Sequence, residues 1–143
     1  MSTISRYTLG TIFFVLGLNG FLHFLPNPPM PAAAGALIGA FVGSGYLMAF
    51  VKATEVLVGA SLLSNRYAPL ALVVAAPVTL NIVLFHAFLA PAGMGVPLLV
   101  LATHLLAAWQ YRDSYAPILR ARPSSSSKSD VPESEAVALA ARS

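Results

Sequence analysis

Long apolar runs alternate along the chain with short runs rich in proline, glycine or charge. Four apolar runs are each about long enough to cross ~30 Å of hydrocarbon as a helix. They are 7–25, 46–64, 68–90 and 96–112. The interruptions at 26–31, 65–67 and 91–95 contain proline, glycine or asparagine in turn-type combinations that cannot continue a helix. The pattern therefore predicts four transmembrane helices.

The connection between the first two runs has a different character. Residues 32–44 are small, uncharged and rich in glycine. Irregular or short helical segments are tolerated at membrane depth only where protein or a cavity covers them. We expect a short interfacial or re-entrant helix here, leading into the second crossing.

The N-terminal run has an alternative interpretation as a secretory signal peptide. Arg6 precedes an apolar core, and the small residues 32–34 loosely resemble a cleavage region. The run is longer than a signal core, however, and it carries Asn19 and His23. Prolines also separate it from the small residues, so a first transmembrane helix is the favoured interpretation.

The composition supports a membrane protein. Hydrophobic residues make up 57% of the 143 residues and charged residues only 9%, against about 25% charged residues in soluble domains. This length accommodates one membrane domain, residues 1–119, and the expected partner is the lipid bilayer rather than nucleic acid. The chain has no cysteine, which excludes disulfides, iron–sulfur clusters and thiolate metal sites.

Positive charge predicts the orientation. Arg6 precedes the first helix, Arg66 lies between the second and third, and Arg112, Arg120 and Arg122 follow the fourth. The other two connections contain no lysine or arginine. By the positive-inside rule both termini and the central loop face the cytoplasm. The expected fold class is therefore all-α, an integral membrane four-helix up-and-down bundle.

The C-terminal segment changes character abruptly. Residues 120–143 contain a serine run at 124–127 followed by mixed charges, with no aromatic residue. Such a composition cannot bury enough apolar surface to offset chain entropy. We expect a disordered cytoplasmic tail.

Polar residues within the apolar runs indicate a site. Lys52 and Glu55 lie three residues apart on one helix face, where hydrocarbon surroundings cost about 2.5–3.5 kcal/mol per charge. Counting from the helix ends, further polar residues fall near the same depth or slightly outward. The predicted ligand-binding set is Asn19, His23, Lys52, Glu55, Asn81, His86 and His104. Lys52, Glu55 and His86 are the candidates for a catalytic role.

Each polar feature also has a structural interpretation. Lys52 and Glu55 could neutralise one another as a buried pair, handle protons or a ligand, or pair with another subunit. The histidines fit interhelical hydrogen bonds better than metal or haem ligation, and we expect no metal site. Only His23 and His86 lie at depths matched well enough for bis-histidine haem. These alternatives stay open at this point.

Two further features concern helix shape. Pro77 frees a backbone carbonyl one turn earlier, so we expect a kink beside the polar layer. Gly10, Gly17 and Gly20 in the first helix, with Gly59 and Ala60 in the second, would let the two helices approach closely.

Several residue strings resemble the DoxX and DoxX-like family of small bacterial membrane proteins. The likeness covers residues 7–119, and its order and spacing over four helices make it more specific than any one string. The strings are GLNGFLHF at 17–24, GY at 45–46, KATE at 52–55, Pro77, NI at 81–82, FH at 85–86 and YRD at 111–113.

The resemblance implies a four-helix bundle in the bacterial cytoplasmic (inner) membrane. Founding members of that family resemble subunits of a thiosulfate:quinone oxidoreductase and terminal oxidase system. Other members are tied to redox homeostasis, and distant relatives act as membrane chaperones. The resemblance implies a site at the matching residues Lys52, Glu55, Asn81 and His86.

Three functional hypotheses follow. In the first, the chain is an accessory subunit of a quinone-linked redox complex, or a homo-oligomer, with no intrinsic cofactor and no independent enzymatic activity. His86 or His23 would then hydrogen-bond a quinone carbonyl, and Glu55 with Lys52 would relay the proton. In the second, it is a non-catalytic scaffold or chaperone whose polar layer engages partner helices. A small transporter is the third and weakest hypothesis.

Overall fold

The regular structure of the chain is entirely helical in a computed structural model that describes residues 2–26, 29–117 and 119. This part contains six α-helices and one 3-10 helix, and no β-strand. The helices are Ser2–Leu22 (α1), Ala32–Gly43 (α2), Leu47–Ser64 (α3), Ala68–Leu89 (α4), Gly95–Gln110 (α5) and Arg112–Tyr115 (α6), with the 3-10 helix at Pro91–Gly93. The all-α prediction is confirmed, and the predicted tail at 120–143 lies outside the described residues.

Helices α2 to α5 begin and end within two residues of their predicted limits. The turn between α3 and α4 shows why the pattern located them well. Asn65 ends α3 in the left-handed conformation, with φ of 56°, and the Arg66 N–H donates to the Ser61 carbonyl at 3.0 Å. Tyr67 is also left-handed, and Pro69 lies in the first turn of α4, where its missing N–H costs no hydrogen bond.

Helix α1 differs from the predicted range 7–25 at both ends. It begins five residues earlier, and Arg6 in this added turn donates a hydrogen bond to the Leu62 carbonyl of α3. It ends three residues earlier, because His23 adopts a left-handed conformation with φ of 51°. The Asn19 side chain then accepts a hydrogen bond from the Leu25 N–H at 2.7 Å, which secures the chain after the helix.

Four long helices contact one another in a ring. Helix α1 packs against α3 and α5, and α4 packs against the same two helices. Helix α2 packs against α3 and α4. The buried apolar core includes Leu9, Leu62, Leu72, Val100 and Ala107, each at most 1% exposed.

The contact between α1 and α3 depends on glycine. A Cβ atom at Gly59 would lie 2.5 Å from the Phe14 backbone nitrogen, and one at Gly17 would lie 2.8 Å from the Val56 backbone nitrogen. These helices therefore touch through backbone, as small-residue contacts between apolar helices allow. The prediction that the glycines permit close approach is confirmed.

Two helices, α3 and α4, are long and apolar enough to cross a membrane. In their most apolar windows only 22% and 28% of residues are buried inside the protein, whereas the core helix of a soluble protein would be mostly buried. Helices α2 and α5 are apolar but shorter, and the 16 residues of α5 rise only about 24 Å. Length and composition thus support two of the four predicted crossings.

Helix α4 continues without a break through Pro77, from Ala68 to Leu89. The Pro77 side chain is exposed on the outer surface of the four helices. A continuous helix can be straight or bent, so its continuity does not test the predicted kink, which stays a prediction.

Candidate functional site

A cavity of about 400 Å³ lies between α1, α2, α3 and α4. Helix α5 contributes no residue to it. Its walls are mostly apolar, and its polar residues come from α1 and the segment after it, α3 and α4. The lining residues are Leu16, Asn19, Gly20, His23, Met30, Leu37, Ile38, Phe41, Val42, Met48, Val51, Lys52, Glu55, Val78, Asn81, Ile82, Phe85 and His86.

Six of the seven sequence-predicted site residues line this one cavity. They are Asn19, His23, Lys52, Glu55, Asn81 and His86. Because they come from the end of α1, the start of α3 and the end of α4, they gather at one end of the helices. Arg6, Arg66 and Arg112 lie at the opposite end.

The seventh residue, His104, lies elsewhere. It is buried on α5, and its Nδ1 lies 2.8 Å from Thr79 Oγ1 on α4. It borders a separate cavity of about 150 Å³ together with Leu72 and Tyr115. Depth along a helix was the basis for grouping His104 with the others, and depth does not determine which way a side chain points. The structure therefore does not bring His104 together with the other six residues.

Lys52 and Glu55 form a salt bridge on the cavity wall. Lys52 Nζ donates to Glu55 Oε2 at 2.8 Å, and the two side chains are 23% and 6% exposed. No donor in the described residues contacts the other carboxylate oxygen, Oε1. Glu55 lines the cavity, so the cavity is the surface from which a donor could reach Oε1.

Gly20 makes room for the lysine. A Cβ atom at this position would overlap Cγ and Cδ of the Lys52 side chain. The aliphatic part of Lys52 therefore lies against the α1 backbone, and its amine reaches Glu55. This arrangement explains how α1 and α3 together position the pair.

His86 forms a hydrogen bond within its own helix. Its Nδ1 lies 2.9 Å from the Ile82 carbonyl oxygen, and its ring meets Phe85 edge-on at 5.2 Å between centroids. Gly93, in the 3-10 helix, borders the other side of the ring: a Cβ atom there would be 3.5 Å from His86 Nε2. Nε2 itself has no hydrogen-bond partner in the described residues.

The remaining three polar residues are less enclosed. The amide oxygen of Asn19 already accepts from the Leu25 N–H, so this side chain also has a structural role. His23 and Asn81 are exposed at the edge of the cavity.

Helix α2 supplies a wall that the sequence analysis did not assign to the site. Leu37, Ile38, Phe41 and Val42 line the cavity, and Met30 precedes them. Their spacing of three to four residues places them on one helix face, while the other face carries glycine and alanine. That periodicity is the sequence signal that could have identified α2 as a wall.

Possible metal ligands are not clustered in the described part of the chain. Within residues 2–26, 29–117 and 119, no three or more histidine, aspartate or glutamate side chains are grouped so that they could hold a metal ion.

The apolar walls and few polar groups of the cavity are typical of small-molecule sites, whose volumes start at about 300 Å³.

No family model, no curated protein and no solved structure matches the chain. Membership of the DoxX family is therefore not shown, and the resemblance depends on the quoted strings alone.

Proposed function

We propose that this chain is a multi-pass protein of the bacterial inner membrane that binds a small lipid-soluble molecule in the cavity. The observation that supports it most directly is the convergence of six polar residues on one apolar cavity. A polar group inside a membrane is retained where it faces a partner, a cavity or a ligand. Here the polar groups face a cavity of ligand size.

The outer surface of the helices supports the membrane part of the proposal. Large apolar side chains point outward along α3, α4 and α5, including Leu57 and Phe88, which are 69% and 79% exposed. Exposed apolar surface of this extent requires lipid or protein around it. We propose that the four long helices form an up-and-down bundle with both termini in the cytoplasm, α5 tilting or the bilayer thinning to match its length.

Single-cysteine variants test this topology, since the chain has no native cysteine. Ala92→Cys, in the connection between α4 and α5, should react with an impermeant maleimide in whole cells. Arg66→Cys, between α3 and α4, should react only after lysis. Both positions are exposed. Labelling of Arg66→Cys in whole cells would contradict the orientation.

The proposed ligand is of the quinone class, and the chain would act as an accessory subunit of a membrane redox complex. Phe41 and Phe85 supply aromatic surface for a planar ring, and the aliphatic residues of α2 and α4 suit an apolar tail. Lys52 and Asn81 offer N–H donors, while Glu55 and His86 offer acceptors. When bound, such a group would supply two-electron chemistry that no side chain of this protein can supply.

Filling the cavity tests ligand binding. The protein is purified in mild detergent, extracted with organic solvent, and the extract is analysed by mass spectrometry and ultraviolet absorption. Val51→Phe fills the cavity, because Val51 lines it. Val74→Phe makes the same change on an outer surface where the side chain is 44% exposed. We expect an aromatic lipid in wild type and Val74→Phe extracts, and its loss from Val51→Phe; equal amounts in all three would contradict the proposal.

A scaffold or chaperone without a ligand is the second candidate. The observation that favours it is the Lys52–Glu55 salt bridge, since a pair at 2.8 Å already neutralises its own charge. An extract without any lipid-soluble aromatic compound, together with a stoichiometric protein partner, would favour this candidate.

A further inference from the structure

The protonation of His86 constrains what the cavity can bind. A carbonyl oxygen only accepts hydrogen bonds, so the 2.9 Å contact with the Ile82 carbonyl requires the proton on Nδ1. A neutral imidazole has one N–H. Nε2 is consequently a hydrogen-bond acceptor, it has no hydrogen-bond partner in the described residues, and His86 lines the cavity.

Glu55 presents a second acceptor to the same cavity. Its Oε2 is bound by Lys52, whereas Oε1 has no donor among the described residues. A carboxylate oxygen only accepts hydrogen bonds. Because Lys52 already balances its charge, a cation would gain little, and a neutral O–H donor suits Oε1 better.

We propose that the cavity recognises its ligand through hydroxyl protons, which His86 Nε2 and Glu55 Oε1 accept. It therefore takes the quinol form, which carries two hydroxyl groups, in preference to the quinone form, which carries two carbonyls. This inference depends on the proposed function, since it names the redox form of the same ligand class. It also revises the expected role of His86, whose neutral ring cannot donate to a quinone carbonyl.

The difference in affinity between quinol and quinone depends on the hydrogen-bond acceptors that the quinone would leave without a donor. A carbonyl placed against Nε2 or Oε1 leaves two lone pairs facing each other in a partly dry site. Mismatches of this kind cost about tenfold or more in affinity. The amides of Asn19 and Asn81 and the free protons of Lys52 reduce the difference, because they can donate to either form.

The test compares the two redox forms of one probe. A short-chain benzoquinone and its chemically reduced benzoquinol are titrated anaerobically into full-length protein in detergent. Dissociation constants are taken from the ligand-dependent rise in melting temperature. We expect the quinol to bind about tenfold more tightly.

Two histidine-to-glutamine substitutions distinguish a specific role of His86 in ligand binding from a general effect of losing a histidine. A glutamine amide can donate as well as accept, so His86→Gln should reduce the preference to about twofold. His104→Gln is the matched control, because His104 lies outside the cavity against Thr79. It should lower the melting temperature of the protein without changing the ratio of the two dissociation constants.

Each result has a distinct meaning. Equal binding of the two forms, or tighter binding of the quinone, would overturn the hydroxyl preference while leaving the proposed ligand class intact. An unchanged ratio in His86→Gln would overturn the role of His86. Failure of both forms to bind would overturn the proposed function and this inference together.

Discussion

The two ends of the molecule treat polar side chains in different ways. At the end that carries the predicted cytoplasmic arginines, side-chain hydrogen bonds join different helices. Arg6 of α1 donates to the Leu62 carbonyl of α3, and Gln110 of α5 donates to Ser5 of α1 at 2.8 Å. The hydroxyl of Tyr111, which follows α5, likewise donates to Asn65 Oδ1, at the end of α3, at 2.9 Å. This end is therefore fastened by its polar groups.

At the cavity end, side-chain hydrogen bonds stay within one helix or its immediate continuation. Lys52 pairs with Glu55 on α3, and His86 bonds to Ile82 on α4. In the described residues that line the cavity, no side-chain hydrogen bond joins two helices. The polar groups here do not hold the helices together, and His86 Nε2 and Glu55 Oε1 have no hydrogen-bond partner in the described residues.

The comparison shows that a polar residue in an apolar helix is not by itself a sign of function. His104 and His86 illustrate the difference. His104 is 6% exposed and bonds to Thr79 on the neighbouring helix, which is a structural role. His86 lines the cavity and has a nitrogen without a partner in the described residues. Polar atoms without a partner, rather than buried polarity, identify the candidate site.

Of the substitutions proposed here, side-chain truncations at the two ends of the molecule should differ most in their effect on the free energy of unfolding. Leu62 is fully buried between helices, so Leu62→Ala should lower the free energy of unfolding by about 3 kcal/mol. Phe41→Ala removes a larger side chain, but it only enlarges an existing cavity, and it should cost less than about 1 kcal/mol. Thermal denaturation in detergent measures both. Equal losses would show that the cavity end is as tightly packed as the other end.

Adding one methyl group tests the contact between α1 and α3. Gly59→Ala places a carbon atom 2.5 Å from the Phe14 backbone, which cannot yield without separating the helices. We expect a loss of about 2 kcal/mol in stability. The control is Gly39→Ala on α2, where a Cβ atom meets nothing within 4 Å. A neutral Gly59→Ala would mean that the two helices lie further apart than described.

Breaking the Lys52–Glu55 pair should lower the stability by a smaller amount, and the loss should depend on which of the two residues is replaced. Lys52→Met leaves the carboxylate of Glu55, at 6% exposure, without its partner, and should cost about 1–2 kcal/mol, below the value for a fully enclosed pair because the cavity admits water. Glu55→Gln leaves a lysine that is 23% exposed and can turn toward the cavity. Its melting temperature should fall less. The reverse order would indicate that Lys52 is the more enclosed partner.

The helices were largely predictable because proline, glycine and asparagine mark their ends. The turn at 65–67 is an example: Asn65 and Tyr67 adopt left-handed conformations, and both neighbouring helices have their predicted limits to within one residue. The end of α1 was not predictable in this way, since a left-handed histidine at position 23 has no comparable signal. Local sequence thus determines turns better than it determines unusual caps.

The sequence predicted the level of the site residues along the helices, but not the direction in which each side chain points. Spacing along α1, α3 and α4 placed Asn19, Glu55 and Asn81 at a common level, and all three line the cavity. The same count placed His104 with them, although α5 lies on the far side of the ring of helices. Packing between helices decides that direction, and no local pattern reports it. The contribution of α2 was missed although the spacing of its large apolar residues marks one helix face.

In the proposed function, the unpartnered carboxylate oxygen of Glu55 and its partner Lys52 hold a ligand rather than merely stabilise the fold. The most direct measurement is the amount of co-purified aromatic lipid in the Lys52→Met/Glu55→Gln double variant. The matched control is Arg112→Met/Asp113→Asn, which removes an exposed ion pair with a separation of 3.9 Å. Both variants are compared with wild type at equal protein concentration and verified by melting temperature.

We expect the double variant to keep a melting temperature close to that of wild type, because removing both charges of a pair leaves no unpaired charge. The amount of lipid bound to the double variant should fall by about tenfold or more, while the control retains its lipid. A double variant that is equally stable and carries a full complement of ligand would contradict the claim and make the pair purely structural.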